Sequence, residues 1–345
     1  MKQSPPHLPI LVCYARVIAA GMKLDEKGRE QLLFGSGLPP HMLDSDESMI
    51  SYEQHRCVVL NALRMSGNPA LGLHLGAMAP LSTHGAMAYA ALSSPNLRSA
   101  LEIFVRYSET RVAFLSLHAG VESGTLKITL REQTDLGAIR HFVHEVVMLS
   151  AKALLDTTVG PNMPGLTVQF AYPAPGHAKQ YAPMLGMPIT FDAMTTAISI
   201  PEELLSHRCV TADPKLYRIA ERQCRQELTA LQAALPFAAQ VQATVSARME
   251  ANCTQDEVAN HFRISVRTLV RRLAQEGVNF RQIVDSARRQ AAQRYLQDTD
   301  FTIAEIAQRL GYLDPSNFGR AARAWFGVSP SAFRDAHGKE SSTAT

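Results

Sequence analysis

Thr254-Gln-Asp-Glu257 opens the stretch TQDEVANHFRISVRTLVRRL at residues 254–273, and Thr302-Ile-Ala-Glu305 opens TIAEIAQRLGYLDPSNFGRAARAW at residues 302–325. The second stretch repeats the first at an offset of 48 residues, and such self-similarity identifies one structural unit used twice. Both tetrads have the form of a capping box, in which the threonine hydroxyl accepts a backbone N–H and the glutamate reaches back to the threonine N–H. Val258-Ala259 pairs with Ile306-Ala307, Phe262 with Leu310 and Ile264 with Tyr312; one inserted residue then moves the offset to 49, matching Leu269 with Phe318, Arg271 with Arg320 and Leu273 with Ala322. Each unit therefore reads as a short capped helix, an alanine that lets a second helix cross closely, a tight turn and a longer helix, which is a helix-turn-helix. The second helices set Leu269 and Leu273, or Phe318 and Trp325, on one side. On the other side lie Ser265, Arg267, Thr268, Arg271 and Arg272 in the first unit, and Ser316, Asn317, Arg320 and Arg323 in the second. Those side chains can bond base edges and phosphates.

Between the units FRQIVDSARRQAAQRYLQ, residues 280–297, has apolar positions at Phe280, Ile283, Val284, Ala287, Ala291 and Tyr295, which predicts one helix about 27 Å long at 1.5 Å per residue. A spacer of that size suits two recognition helices about 34 Å apart, one turn of DNA. Charge agrees. The chain carries +3 overall, and residues 251–338 hold twelve arginines, no lysine and nine carboxylates, so the whole excess lies there. Arginine grips a phosphate or a guanine edge with two parallel bonds, which lysine cannot do.

SVRTLVRRLAQEGVNF (265–280) and VDSARRQAAQRYLQDTDFTIAEIAQRLGYLDPSNFGRAARAWFGVSPSAFR (284–334), in that order, resemble the AraC/XylS family of transcription regulators. The resemblance covers about Thr254 to Arg334 and implies two helix-turn-helix subdomains on a long helix that bind double-stranded promoter DNA, with RNA polymerase as a further partner. It places the base-contacting faces on Ser265, Arg267, Thr268 and Arg271, and on Pro315, Ser316, Asn317 and Arg320. Two positions depart from the family pattern: Arg263 stands where glycine is frequent, and Ala322 where phenylalanine is usual. A left-handed backbone at Arg263 costs about 1 kcal/mol.

Toward the N-terminus the periodicity predicts helices over His7–Ala20, Ser51–Met65, Pro69–Met78 and Asn96–Thr110, with a capping box at Ser51-Tyr-Glu-Gln54 and an N-cap at Asn96. Alternation predicts strands at Phe114–His118 and Thr125–Arg131, then a helix over Leu136–Thr157, a strand at Leu166–Tyr172, a helix at Gly176–Leu185, and strands at Ile189–Asp192 and Ala197–Ile200. The helical pattern from Asp213-Pro214 to Ala234 ends at Leu235-Pro236, where the domain boundary is expected. The expected architecture is an α+β sensor domain with a small sheet (1–235), an all-α double helix-turn-helix domain (236–338) and a loose tail (339–345). NPALGLHLG (68–76), HGAMAYAALSSPNLRSALEIFVRYSE (84–109) and FAYPAPGHAKQYAPMLGMPITFD (170–192) resemble the arabinose-binding-type sensor domain of an OruR/VirS-like subgroup. That resemblance implies a domain that binds a small effector and forms a homodimer, and an activator rather than a repressor.

At 345 residues with 46% hydrophobic and 19% charged side chains, the chain suits two soluble domains. No run of eighteen apolar residues and no export signal occurs, and the five cysteines (Cys13, Cys57, Cys209, Cys224, Cys253) form no C-x-x-C pair, which suits reduced thiols in the cytoplasm. His84, Tyr89, Arg106, Tyr107 and Arg111 interrupt an apolar helical stretch and are candidate effector contacts. His141, His144 and Glu145 would serve a metal-dependent enzyme, but H-x-x-H-E is not the H-E-x-x-H order of a zinc hydrolase. No G-x-S-x-G, G-x-G-x-x-G or P-loop occurs, so no enzyme activity, metal or cofactor is expected. An unregulated architectural DNA binder is the remaining alternative. Trp325, the one tryptophan, is expected in the core of the second helix-turn-helix.

Overall fold

The computed structural model describes residues 9–45, 48–161, 163–248, 253–299, 301–312 and 314–337. The chain divides into two units, Met1–Thr229 and Ala230–Thr345. The expected tail at 339–345 lies outside the described residues.

The first unit runs β1 (Pro9–Leu11), α1 (Cys13–Gly21), α2 (Glu26–Leu33), β2 (Met49–Ser51), α3 (Tyr52–Ser66), α4 (Leu71–Met78), α5 (Gly85–Leu92) and α6 (Leu97–Tyr107). There follow β3 (Leu115–Glu122), β4 (Thr125–Glu132), α7 (Arg140–Thr158), β5 (Thr167–Gln169), α8 (Tyr181–Leu185), β6 (Ile189–Thr190), β7 (Thr196–Pro201) and α9 (Pro214–Ala234). Five strands form one sheet in the order β3-β4-β7-β5-β6, antiparallel except for the β5–β6 pair. Its hairpin β3–β4 turns on Ser123 and Gly124, both at positive φ, the geometry whose twist matches two right-twisted strands. Along β4, Leu126, Ile128 and Leu130 are buried and alternate with half-exposed neighbours, so one face of the sheet meets the core.

Helix α4 crosses α7 at close range because Gly72 and Gly76 face it. A Cβ at Gly72 would stand 2.7 Å from the Phe142 backbone, and one at Gly76 would stand 3.0 Å from Val146 Cα. Two glycines one turn apart thus give the NPALGLHLG stretch a physical reason: only a bare backbone fits this crossing.

The α+β architecture agrees with expectation, and the differences are local. The predicted helix His7–Ala20 starts later, since Pro9–Leu11 pairs with Met49–Ser51 as a small second sheet; His7 and Leu8 lie outside the described residues. The strand expected over Leu166–Tyr172 narrows to three residues. Within Gly176–Leu185 only Tyr181–Leu185 is α-helical, and it ends at Gly186 in the left-handed region. Helix α2, capped by Asp25, was not expected: its sequence EKGREQLL is polar and short, and only Gly28, Leu32 and Leu33 are buried.

The second unit is all-α: α10 (Phe237–Ala247), α11 (Gln255–His261), α12 (Val266–Gln275), α13 (Phe280–Asp298), α14 (Ile303–Arg309), α15 (Pro315–Phe326) and α16 (Pro330–His337). One continuous core joins Val241 and Val245 of α10 to Leu269, Leu273, Ile283, Ala287, Ala291, Leu296, Ile306, Phe318 and Phe333. Helix α13 is its spine. No helix among the described residues is long and apolar enough to cross a membrane.

Candidate nucleic-acid interface and sensor cavity

The two repeats fold alike, and their first helices are capped and closed by matching bonds. Thr254 and Thr302 each complete a capping box, with Glu257 and Glu305 returning to the threonine N–H at 2.8 and 2.7 Å. Each first helix closes with the same signature: Ile264 N–H donates to Ala259 O at 3.0 Å, and Tyr312 N–H to Ala307 O at 2.9 Å. Ser265 and Asp314, which correspond at the shifted offset, both cap the second helix, accepting from Thr268 N–H and Ser316 N–H. Ala259 and Ala307 are buried where the helices cross.

Burial then divides α12 and α15 into two faces. Leu269, Leu273, Phe318 and Ala322 are buried, whereas Ser265, Arg267, Arg271, Arg272, Pro315, Ser316, Asn317, Arg320 and Arg323 are exposed and Thr268 is half-buried. Arg272 differs from the others, since its guanidinium stacks on the Phe237 ring at 5.3 Å. Arg320 donates to Asn317 Oδ1, so the two present a joined polar edge. Around α13, which spans about 28 Å at 1.5 Å per residue, Arg289 is exposed while Arg288 stacks on Tyr312 at 5.0 Å.

Both sequence departures have structural consequences. Arg263 adopts φ 53° and its counterpart Gly311 φ 78°, so the first turn holds the left-handed residue in a side chain that resists it. Ala322 is fully buried on α15, one turn from the buried Phe318, so the smaller side chain stands in the core itself. Trp325 is half-buried, and its Nε1 donates to both oxygens of Asp285 on α13 at 3.2 and 3.1 Å, tying the second recognition helix to the spine.

In the first unit a cavity of about 110 Å³ is walled by side chains from β1, α1, α3, α4, α5, α6, β3, β4 and α7, among them Ile18, Leu75, Met87, Phe104, Phe114 and Phe142. Of the five candidate effector contacts, His84 and Arg111 line it. Tyr89 is 48% exposed, Arg106 borders a separate depression, and Tyr107 is buried with its hydroxyl donating to Glu221 at 2.9 Å. Sequence reasoning missed Tyr14 and His55. Tyr14 hydroxyl meets His84 Nδ1 at 2.9 Å, and His55 lines the cavity with its Nδ1 unpartnered. The signal at His55 was its place on the buried stripe of α3 with Tyr52, Val58 and Val59. Burial pushes both His55 and His84 down to about 4, with Arg111 adding to the effect at His84.

His141, His144 and Glu145 point to different partners. His141 lies against the Tyr172 ring at 4.3 Å, while His144 meets Thr196 Oγ1 at 2.9 Å and stands 3.0 Å from Glu132. Glu145 is fully buried and accepts from Leu73 N–H at 3.1 Å, His177 Nε2 at 2.7 Å and Tyr181 hydroxyl at 2.5 Å. Burial raises its pKa, and those donors oppose the rise. The group anchors α4 and the segment around α8 to α7.

Comparison with known proteins agrees with this division. Residues 28–209 match the arabinose-binding domain of AraC transcription regulators, N-terminal, and residues 258–336 match a helix-turn-helix domain. The ornithine utilization regulator of Pseudomonas aeruginosa is 32% identical over 308 residues, 89% of this chain and 91% of that protein. VirS of Mycobacterium tuberculosis is 27% identical over 77% of this chain and 78% of that protein. The crystal structure of the regulator CdpR from Pseudomonas aeruginosa aligns with 94% of this chain and 98% of its own, at 21% identity and a TM-score of 0.47. With more than half of its length in the N-terminal match and twin helix-turn-helix modules beyond it, the chain belongs to the AraC family and is a DNA-binding transcription regulator with an arabinose-binding-type N-terminal domain.

Proposed function

We propose that the protein activates transcription from a promoter whose successive major grooves it reads with α12 and α15, under the control of a small molecule bound in the N-terminal unit. Sensing and dimerisation are assigned to residues 1–235 and DNA binding to residues 236–338. RNA polymerase is the downstream partner of the activator.

The observation that carries this reading is the shared spine. Two recognition helices with exposed arginines, each preceded by a first helix that is capped and closed by the same bonds, are built on one core around α13. That arrangement suits grooves one turn, about 34 Å, apart. Ser265, Arg267, Thr268 and Arg271 read one groove and Pro315, Ser316, Asn317 and Arg320 the next. Arg272 steadies α12 through Phe237 and contacts the backbone.

The cavity supports control by a small molecule, because protein interiors are close-packed and rarely leave such a space unfilled. The name of the Pseudomonas relative ties that protein to ornithine utilization. No carboxylate is among the described residues lining this cavity, and a buried ammonium needs such a partner, so the lining favours an effector without one.

The test is promoter binding by the full chain against random DNA. Arg271→Ala is expected to lose about 1–3 kcal/mol of discrimination at the bases it reads. Unchanged discrimination refutes the assignment of that face, and a wild-type chain with no preference for any promoter refutes the reading.

A further inference from the structure

Helix α9 is the last helix of the first unit, and the chain passes from it into the second. Ala220 and Cys224 bury one face of it. Two side chains, one at the end of α6 and one just after it, fasten it by polar bonds: Tyr107 hydroxyl donates to Glu221 at 2.9 Å, and Arg111 Nη2 donates to Glu227 Oε2 at 2.9 Å. Arg111 also lines the cavity, so one guanidinium touches both the cavity and the helix that leaves the unit.

We propose that the cavity binds a small monocarboxylate with an apolar body, and that its carboxylate takes the Arg111 guanidinium from Glu227 and frees the end of α9. This rests on the effector reading above and adds the ligand class and the switch.

Four observations carry it. The wall is largely apolar, with His55, Thr83, Ser108 and Ser150 as further neutral polar residues beside a polar group made by Tyr14, His84 and Arg111: Tyr14 and His84 are hydrogen-bonded, and a Cβ on the adjoining Gly85 would lie 2.6 Å from Arg111 Nη2. Among the described lining residues Arg111 is the one cation at neutral pH, since His55 and His84 are held neutral by burial, and none is an acid. An ammonium ligand would therefore sit unpaired in an apolar space. Arg111 Nε is buried without a partner, and a carboxylate can accept from Nε and Nη2 together as a neutral ligand of one oxygen cannot. Finally, the two partners of the ion pair are unequal. The Arg111 side chain is 9% exposed and the Glu227 side chain 30%, so Glu227 is the one that can turn to water when displaced. With some 10–15 Å³ of such space needed per water-sized group, the cavity suits roughly seven to eleven heavy atoms.

The experiment is calorimetric titration of the full chain with hexanoate, octanoate, decanoate and 3-phenylpropanoate, with 1-octanol and octylamine as comparisons. At least one carboxylate is expected to bind ten-fold or more tightly than 1-octanol, and octylamine not to bind. Arg111→Met should reduce carboxylate affinity to that of the alcohol. Glu227→Gln should tighten carboxylate binding several-fold by removing the competitor, a gain that a merely structural role does not produce; should Arg111→Met fail to fold, this variant decides. No binding by any of the four acids, equal binding of octanol, or unchanged or weaker binding to Glu227→Gln overturns the proposal. If the acids fail while another metabolite changes promoter binding by the full chain, the ligand class falls and effector control stands. If no small molecule changes promoter binding or melting of the first unit, both fall.

Discussion

Twin modules that differ at one turn position allow a paired test of backbone strain. Arg263 sits at φ 53° where Gly311 sits at φ 78°, and both turns make the same closing bonds. A non-glycine residue in the left-handed region costs about 1–2 kcal/mol. Replacing it with glycine also frees the unfolded chain, which takes back about 0.4–1 kcal/mol. Arg263→Gly is therefore expected to stabilise the DNA-binding unit by about 0.5–1 kcal/mol, a rise of roughly 2–6 °C in melting temperature for a unit of this size. Arg263→Ala keeps the Cβ and should gain nothing, and Gly311→Ala should lose about 1 kcal/mol. The single tryptophan makes the assay specific: Trp325 lies in the second unit, bonded to Asp285, so its fluorescence during urea unfolding of the full chain follows that unit alone. If Arg263→Gly is neutral or destabilising while Gly311→Ala costs nothing, left-handed strain does not govern this turn and the energetic reading of the repeat is wrong.

Three further outcomes are expected. Arg289→Ala should lower promoter affinity without changing sequence preference and reduce the salt slope by about one, whereas Arg288→Ala should lower the urea midpoint, because its guanidinium stacks on Tyr312; equal effects on both measures would refute the distinction. Gly72→Ala should cost about 1–3 kcal/mol from the clash with the Phe142 backbone, despite alanine's advantage in a helix, and a neutral result in thermal circular dichroism would refute the close crossing. Burial holds the His55 pKa at about 4 in the folded chain, below its ordinary 6.5, so the unfolded chain binds the proton first as pH falls. Sensor-unit stability from this group is complete above 6.5 and lost progressively down to about 4, with a ceiling on the order of 3 kcal/mol; His55→Leu should flatten that part of the melting-versus-pH curve, and an unaltered curve would show the ring is solvated.

The DNA-binding unit was legible because its rules are local. A capping box spans four residues and a helix-turn-helix about twenty, so Thr254, Thr302, Ala259 and Ala307 announced their roles without knowledge of the rest of the chain. The sensor cavity is the opposite case, since its wall draws on nine elements and the loops between them, with lining residues spread from Ile10 to Ser150. His84 and Arg111 stood out as polar groups in an apolar stretch, but so did Tyr89, which is exposed, and Tyr107, which bonds Glu221 some 114 residues away. The glycines of α4 were visible as a motif, yet what they meet on α7 is set by a tertiary crossing.

A shared core also limits how the protein can be regulated. Leu269 and Phe318, one under each recognition helix, belong to the same buried cluster as Ile283, Ala287 and Ala291 of α13, and Trp325 binds Asp285 on that helix. Changing the distance between α12 and α15 would open this cluster, at a cost like that of truncating core side chains, about 2–5 kcal/mol for each large one. The start of the unit is fixed to the same body: Glu276, at the end of α12, accepts from the Phe237 and Ala238 N–H groups at 2.8 Å each, and Phe237 lies against Phe262 and Arg272. A force delivered through the chain at Pro236 therefore meets the first recognition helix directly and the second through α13. Control is cheapest when it moves or releases the DNA-binding unit as a whole, and release of α9 at Glu227 would be a change of that kind.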